Sequence, residues 1–262
     1  RMQADGLVVL ASKELAVRKL RGAYGVIIGD VFHRAATAKI SNDSGTIEEI
    51  SRTIIDGDAQ DKIWGDFVAI HRSADGSTRF LHSPCGGVNL YYLACDGLLL
   101  IASDSAILLT MAQRRRSLNW AVIAHNLVWD DLSSPETCIE SVHELRCGEA
   151  GQWRHGKVST ETIWNPWRYT EFEASVSTSE EAVALVRQEL LRSVSARRLA
   201  TGKFAIDLSG GLDSSIIAAA CAATGMEPTC INIYDPDTEG DERRFARCVA
   251  DHLQLRLIEA AP

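Results

Sequence analysis

The residues best suited to chemistry lie in one short run, Ser209-Gly210-Gly211-Leu212-Asp213-Ser214-Ser215, between an apolar Phe204-Ala-Ile-Asp207-Leu208 and an Ala-rich Ile216-Ile-Ala-Ala-Ala-Cys221. The pattern predicts a strand that turns through a glycine pair and leaves as a helix. Without side chains at Gly210 and Gly211, backbone N–H groups can close on an anion, and the new helix points its positive end and unpaired N–H groups at the same spot. Ser209, Ser214 and Ser215 add hydroxyl donors. Asp213 has the wrong charge to meet a phosphate unless a divalent cation sits between them, so the run reads as a site for a nucleotide with Mg²⁺. The plainer alternative is a strand-to-helix turn whose glycines serve packing alone. The run lacks the Gly-x-x-x-x-Gly-Lys spacing of the common P-loop.

These residues resemble the Ser-Gly-Gly-x-Asp-Ser pyrophosphate loop of the ATP pyrophosphatases, which activate a carboxylate or carbonyl as an adenylate. The resemblance implies an ATP and pyrophosphate site at Ser209 to Ser215, with Asp213 as the metal-binding residue. It also implies that backbone atoms at Asp207 and Ile233 face the adenine.

The elements that must position this loop belong to a chain of 262 residues with 46% hydrophobic content, enough for two globular domains. No apolar run reaches the ~18 residues of a membrane span, and no signal-peptide pattern opens the chain, so a cytoplasmic protein is expected. A net charge of -8 argues against a nucleic-acid partner. Arg114-Arg115-Arg116, the one compact basic run, reads better as a solvated loop or helix end than as a binding patch. The seven cysteines are odd in number and contain no Cys-x-x-Cys, which makes disulfides and a zinc site unlikely expectations. Cys221 and Cys230 read as small core residues. Cys85, before Gly86-Gly87, lacks an evident His or acid partner for a nucleophile's role.

From Leu7 to about Leu145 the sequence reads as short strands separated by turns: Leu7–Leu10, Gly25–Ile28, Phe67–Ile70, Thr78–Leu81, Val88–Leu93 and Leu98–Ile101, with Ala74-Asp-Gly76 and Cys95-Asp-Gly97 as hairpin turns. Ile47 to Ile55 and Asn119 to Val128 have helical spacing. Strands flanked by helices predict an α+β layered domain. Trp64-Gly-Asp-Phe67, His82-Ser-Pro-Cys-Gly-Gly-Val-Asn-Leu-Tyr91-Tyr92, Ile101-Ala-Ser-Asp104, Leu145-Arg-Cys-Gly148 and Trp164-Asn-Pro-Trp167 follow one another as in asparagine synthetase-like proteins. That resemblance implies a class II glutamine amidotransferase-like αββα sandwich over residues 1–172, ahead of a partial parallel-sheet ATP pyrophosphatase domain over 173–262. The departures are informative. The family releases ammonia with an N-terminal cysteine exposed after removal of the initiator Met; if Met2 is the initiator here, that place holds Gln3. Its Arg-rich and Asn-Gly-Glu glutamine-holding segments are absent from His33-Arg-Ala-Ala-Thr-Ala-Lys-Ile-Ser-Asn-Asp-Ser44. The first domain is therefore expected to be catalytically inactive.

The linker Trp164 to Val176 carries Pro166 and no clear period, placing a boundary near Tyr169 to Ser179. Trp153, Trp164 and Trp167 read as an inter-domain seam of buried indoles in preference to a peptide-binding surface. Thr178-Ser-Glu-Glu181 is a capping-box start, and Val183, Val186, Leu190 and Val194 predict a helix to Arg198 that packs on the following sheet. Strand–helix alternation then continues: a helix from Ser214 to Ala223 closed by Gly225, a strand Pro228–Tyr234, a helix Asp241–Leu253 and a strand Leu255–Ile258. Such units build a parallel sheet with ligands beyond its carboxyl strand ends. Asp241 and Glu242 can be active-site acids or, more plainly, charges that favour a helix N-terminus.

Among asparagine synthetase relatives that need no ammonia, the β-lactam synthetases and the lasso peptide cyclases come into consideration. Gly29-Asp-Val-Phe-His-Arg34, the short interval to Trp64-Gly-Asp66, and Gly240-Asp-Glu-Arg-Arg-Phe-Ala-Arg-Cys-Val-Ala-Asp-His-Leu253 look most like the lasso peptide cyclases. That resemblance implies an AMP-forming ligase that adenylates a side-chain carboxylate of a precursor peptide and closes a macrolactam with its N-terminal amine. It implies as partners the precursor peptide, a leader-binding protein and a leader peptidase. The alternatives are an ammonia-dependent asparagine synthetase, a β-lactam synthetase-like ligase and a non-catalytic nucleotide- or partner-binding fragment. Relatives continue well past a third strand, so the catalytic residues are expected beyond Pro262, on a longer chain or on a second chain that completes the domain.

Overall fold

The computed structural model describes residues 2–4, 6–13, 15–20, 24–34, 49–54, 62–113, 117–129, 134–171, 175–201, 204–235 and 241–261. The chain divides into two compact units, the first running to Thr170 and the second from Glu171 onward. Among the described residues no helix is long and apolar enough to cross a membrane. The Arg114–Arg116 run and most of the His33 to Ser44 segment lie outside the described residues.

The N-terminal unit is built on a six-stranded antiparallel sheet in the order β11-β10-β6-β5-β4-β3. Its strands are β3 (Val17–Lys19), β4 (Tyr24–His33), β5 (Ile63–Arg72), β6 (Thr78–His82), β10 (Glu149–Arg154) and β11 (Lys157–Thr162). A smaller sheet pairs β8 (Leu98–Ala102), β7 (Tyr91–Cys95) and β9 (His143–Glu144), and β1 (Met2–Ala4) pairs with β2 (Leu7–Val9). Successive residues of β5 serve opposite faces, as strand geometry requires. Phe67 and Ala69 join Ile27, Val31 and the helical Ile50 and Ile54, while Val68 and Ile70 join Val26, Phe80, Leu90 and Tyr92. The large sheet is thus apolar on both faces, with a helix over one and the small sheet over the other. The outer side of the small sheet packs Leu93 against Leu108 and Leu109 of α1 (Ser105–Ala112).

Sequence patterning locates most of these elements and truncates others. The turns at Ala74–Gly76 and Cys95–Gly97 join β5 to β6 and β7 to β8. Asn119 caps α2 (Trp120–Val128), its Oδ1 accepting from Val122 N at 3.3 Å. Val88 to Leu90 lie before β7 rather than within it, although Leu90 is fully buried. α1, β10 and β11 were not expected: β11 is Lys-Val-Ser-Thr-Glu-Thr and mostly exposed, so it carries no apolar run. Gly151-Gln-Trp-Arg-His-Gly156-Lys157 does match the P-loop spacing up to its lysine. It is followed by Val158 and forms the β10–β11 hairpin instead of a strand-to-helix turn. The three indoles have different surroundings within the N-terminal unit. Trp153 packs in the core between the sheets, Trp164 lies beside Gly148 and Tyr169, and Trp167 is 72% exposed.

The C-terminal unit is a three-stranded parallel sheet, β12 (Ala205–Asp207), β13 (Thr229–Ile233) and β14 (Arg256–Ala260), in chain order. Its helices are α3 (Ser179–Thr201), α4 (Leu212–Ala223) and α5 (Arg243–Leu253). Thr178 Oγ1 accepts from Glu181 N at 3.2 Å, and Glu181 reaches back to Ser177 N at 3.3 Å, a capping box displaced by one residue. The helix does not lie flat on the sheet as its period suggested. Val183 and Val186 are 67% and 69% exposed, and only the later turns, through Leu190, Leu191 and Val194, pack on Cys221, Met226, Phe204 and Ile206. α4 ends as predicted at Gly225, with Gly225 N bonding Ala222 O and Met226 N bonding Cys221 O, the paired bonds of a Schellman cap.

Phe80 is fully buried in the inter-sheet core, edge-on to Tyr92 at 5.4 Å between ring centroids. Replacing it by Ala removes a ring with no neighbour free to collapse into the space. The expected outcome is a loss of about 3–5 kcal/mol of unfolding free energy for the N-terminal unit in urea titration. A change below about 1 kcal/mol would contradict this packing.

Candidate nucleotide-binding site

The loop begins where β12 is tied to β13. Leu208 is fully buried, its N–H bonds Ile231 O at 2.8 Å, and its carbonyl accepts from Asn232 Nδ2 at 2.9 Å. Asn232 is 3% exposed, and its Oδ1 is buried without a partner, an arrangement that costs stability unless the amide's other end is essential. It therefore fixes the last ordered peptide of β12 before the chain turns.

Gly210 then takes φ +84, and a Cβ there would lie 2.5 Å from Ala246 N, 2.6 Å from Phe245 Cβ, and in collision with the Phe245 carbonyl carbon. The loop backbone runs directly against α5, which only glycine permits on both counts. Gly211 is the N-cap of α4 with no side-chain cap, so the first-turn N–H groups at Leu212, Asp213 and Ser214 are not closed off by a side chain of the N-cap residue. The hydroxyls converge on this residue. Gly211 N donates to Ser209 Oγ at 3.2 Å, Ser209 and Ser214 share a hydrogen bond at 3.1 Å, and Ser215 Oγ donates to Gly211 O at 2.6 Å.

The structure therefore brings together Ser209, Gly210, Gly211, Asp213, Ser214 and Ser215 at one helix N-terminus, with Asp213 exposed in its first turn. Leu212 belongs to the same turn, but its side chain is 76% exposed and only its backbone N–H suits an anion. Asp207 and Ile233 are the last residues of adjacent strands β12 and β13, so both stand at the carboxyl edge on which the loop sits. Among the described residues no group of three or more His, Cys, Asp or Glu converges as a metal cage. A divalent cation at this loop would be held by the Asp213 carboxylate together with phosphate oxygens and water.

Asp241 and Glu242 resolve differently from one another. Asp241 accepts from Arg243 N at 3.1 Å and from its guanidinium at 2.6 to 3.0 Å, and Glu242 is the N-cap of α5 without a side-chain cap bond. The hydrogen bonds from Arg243 push the Asp241 carboxyl down to about 2. Arg243 also stacks on Tyr234, 3.8 Å from its ring centroid. Asp241 is thereby engaged as a structural anchor of the helix start, and the helix-terminus reading of this acid fits the geometry. Sequence reasoning missed Asn232 and the Phe245-Ala246 backbone. A lone Asn inside Thr-Cys-Ile-Asn-Ile is a visible signal of the first; the second is a tertiary contact with no local signature.

Residues 185–261 match the asparagine synthase family, a span that includes the loop, α4, α5 and the whole parallel sheet. A search of curated proteins returned no match. The likeness to the asparagine synthases is thus confined to the C-terminal unit, where the loop lies.

Gly210→Ala should lower the unfolding free energy of the C-terminal unit by about 2 kcal/mol or more, since it combines left-handed strain with a backbone collision. Wild-type stability in thermal or urea unfolding would contradict the close approach. Asp241 gives a pH prediction. Its carboxyl is depressed from an ordinary value near 4 to about 2, so the Arg243 anchor is fully present above pH 4 and is lost as pH falls toward 2. NMR titration of Asp241 should show the low value in wild type and a return to the usual carboxylate range in Arg243→Ala.

Proposed function

We propose that this chain is the nucleotide-binding part of an AMP-forming amide ligase that closes an isopeptide ring in a precursor peptide. The single observation that carries the ligase assignment is the coincidence of the asparagine synthase match, residues 185–261, with a loop whose backbone and hydroxyls are arranged for an anion. The macrolactam step rests on the resemblance of Gly29–Arg34, Trp64–Asp66 and Gly240–Leu253 to the lasso peptide cyclases.

In this proposal the first-turn N–H groups of α4 and the hydroxyls of Ser209, Ser214 and Ser215 bind the β- and γ-phosphates, and backbone atoms at Asp207 and Ile233 meet the adenine. Mg²⁺, when bound through Asp213, offsets phosphate charge. Ser215 gives up its bond to Gly211 O, and Ser209 and Ser214 exchange their mutual bond for phosphate oxygens. The α-phosphate is thereby held for attack by a side-chain carboxylate of the peptide, which leaves pyrophosphate; attack by the peptide's own α-amine then releases AMP. In this proposal the N-terminal domain supplies no ammonia, since His33 to Ser44 lacks the family's glutamine-holding segments, and the amine arrives with the substrate. Holding both ends of one peptide is an orientation effect, so the enzyme must also enforce the prefold; the leader-binding protein presents the precursor and the leader peptidase frees its α-amine.

The test is incubation of the full-length protein with precursor peptide, its leader-binding and peptidase partners and Mg-ATP. A product lighter by one water with stoichiometric AMP is the expected result, and Asp213→Ala should slow it by about 10²-fold or more. AMP formation that depends on ammonium and aspartate instead would identify an asparagine synthetase, and absence of both products would reject the ligase.

A further inference from the structure

Two cysteines distant in sequence are brought together in the N-terminal unit. Cys85 lies in the loop Ser83-Pro84-Cys85-Gly86-Gly87 after β6, and Cys147 in the turn Leu145-Arg146-Cys147-Gly148 before β10. Three hydrogen bonds brace this region. His82 Nδ1 donates to Leu145 O at 2.8 Å, Gly148 N donates to His82 O at 3.1 Å, and Leu145 N donates to Leu90 O at 2.9 Å. Cys147 Sγ is seated directly against Gly86, at φ +68, where a Cβ would come within 2.5 Å of the sulfur. Cys147 Sγ thus sits against the residue next to Cys85, near enough for the two thiols to act on each other electrostatically. Both cysteines are solvent-exposed and reduced.

We propose that Cys85 and Cys147 are a redox-modification site, closing a reversible disulfide in the presence of an oxidant such as glutathione disulfide. The atoms balance in two exchanges. A cysteine thiolate attacks glutathione disulfide, forming a mixed disulfide and expelling one glutathione. The second cysteine's thiolate then attacks the protein sulfur of that mixed disulfide, expelling the other glutathione; the protein has lost two electrons and two protons, both taken by glutathione. Of the other five cysteines, Cys221 and Cys230 are buried in the C-terminal unit, Cys95 and Cys138 are half-buried, and Cys248 is exposed on α5. Desolvation raises the Cys147 pKa against an opposing backbone hydrogen bond, with smaller contributions from Glu144 and then Cys85. Its exchange should therefore keep accelerating with pH beyond the range in which an ordinary thiol has finished titrating.

The bond ties the loop bearing Gly87, which lies against Asp66, to the strand that begins at Glu149. It acts on loops already tied together by the hydrogen bonds of His82, Leu145 and Gly148. The experiment is to treat dilute full-length protein with glutathione disulfide, block remaining thiols by alkylation and digest with trypsin without reduction. Cleavage after Arg79, Arg114, Arg146 and Arg154 places Cys85 and Cys95 in one fragment and Cys147 alone in another. The expected result is a cross-linked pair about 2 Da lighter than the two fragments combined, with fragmentation placing the link at Cys85. Dithiothreitol should remove it, and Cys85→Ser or Cys147→Ser should abolish it. Separate alkylation of the two cysteines, stable glutathione adducts on both, a link at Cys95, or a covalent dimer through either residue would overturn the proposal.

Discussion

The candidate site depends on one close approach: the backbone of Gly210 lies against the backbone of α5 at Phe245 and Ala246. Everything around it is sized to allow that contact. Ala246 and Ala250 are essentially fully buried on the helix face that meets Ala218, Cys230 and Leu208, so the small side chains at these two positions let α5 come close to the sheet. Larger residues would lift the helix and release the loop. From the other side the loop is held by Asn232, which gives its Nδ2 to the Leu208 carbonyl and leaves its own oxygen without a partner in the interior. A buried amide half satisfied is unfavourable by itself. It persists here because the alternative is an unpaired carbonyl at the point where β12 must stop and turn.

Parts of this arrangement were legible from residue order alone. The strand, glycine pair and helix around Ser209 to Ser215 follow from apolar runs and glycine placement, and the cap at Gly225 follows from its position after Ala-Ala-Thr. The parallel order follows from alternating strands and helices. What escaped was tertiary. β11 is exposed and polar, and it is a strand because β10 gives it a paired edge, not because its sequence alternates. Val183 and Val186 have helical spacing yet face solvent, since period marks a face without naming what covers it. Gly210 announced a turn in the sequence, whereas its contact with Phe245 required the fold.

The parallel sheet is packed unequally on its two faces. Ile206, Cys230 and Leu257 share a register row and point into the core under α4 and α5. The adjoining row, Asp207, Ile231 and Ile258, faces the other way, and Ile258 and Ile233 remain 38% and 65% exposed. Parallel strands are stable when both faces are covered, and near-continuous apolar sequence in β13 is written for that condition. The bare row carries the same carboxyl edge at which Asp207 and Ile233 end, so the face that lacks covering is contiguous with the face that meets the ligand in the proposed reaction.

Charge around the loop narrows how an anion would be held. On the helix that Gly210 touches, Arg243 is spent on Asp241 and Tyr234, Arg247 makes a two-point bridge to Glu259 at 2.6 and 2.7 Å, and Arg244 lies over the Phe245 ring. The bridge lowers the Glu259 pKa and raises that of Arg247, so both partners keep their charge and hold each other. Recruiting either arginine to a phosphate would strand a carboxylate beside it. The cheaper donors are those with no competing charge: the first-turn N–H groups of α4 and three hydroxyls whose present bonds are neutral and local. These are fixed dipoles, which bind a polyphosphate weakly by charge alone. Asp213 in the same turn adds a negative charge that weakens them further, and it becomes favourable only when a cation intervenes. In the proposed reaction a metal-complexed anion would therefore suit the loop better than a bare one.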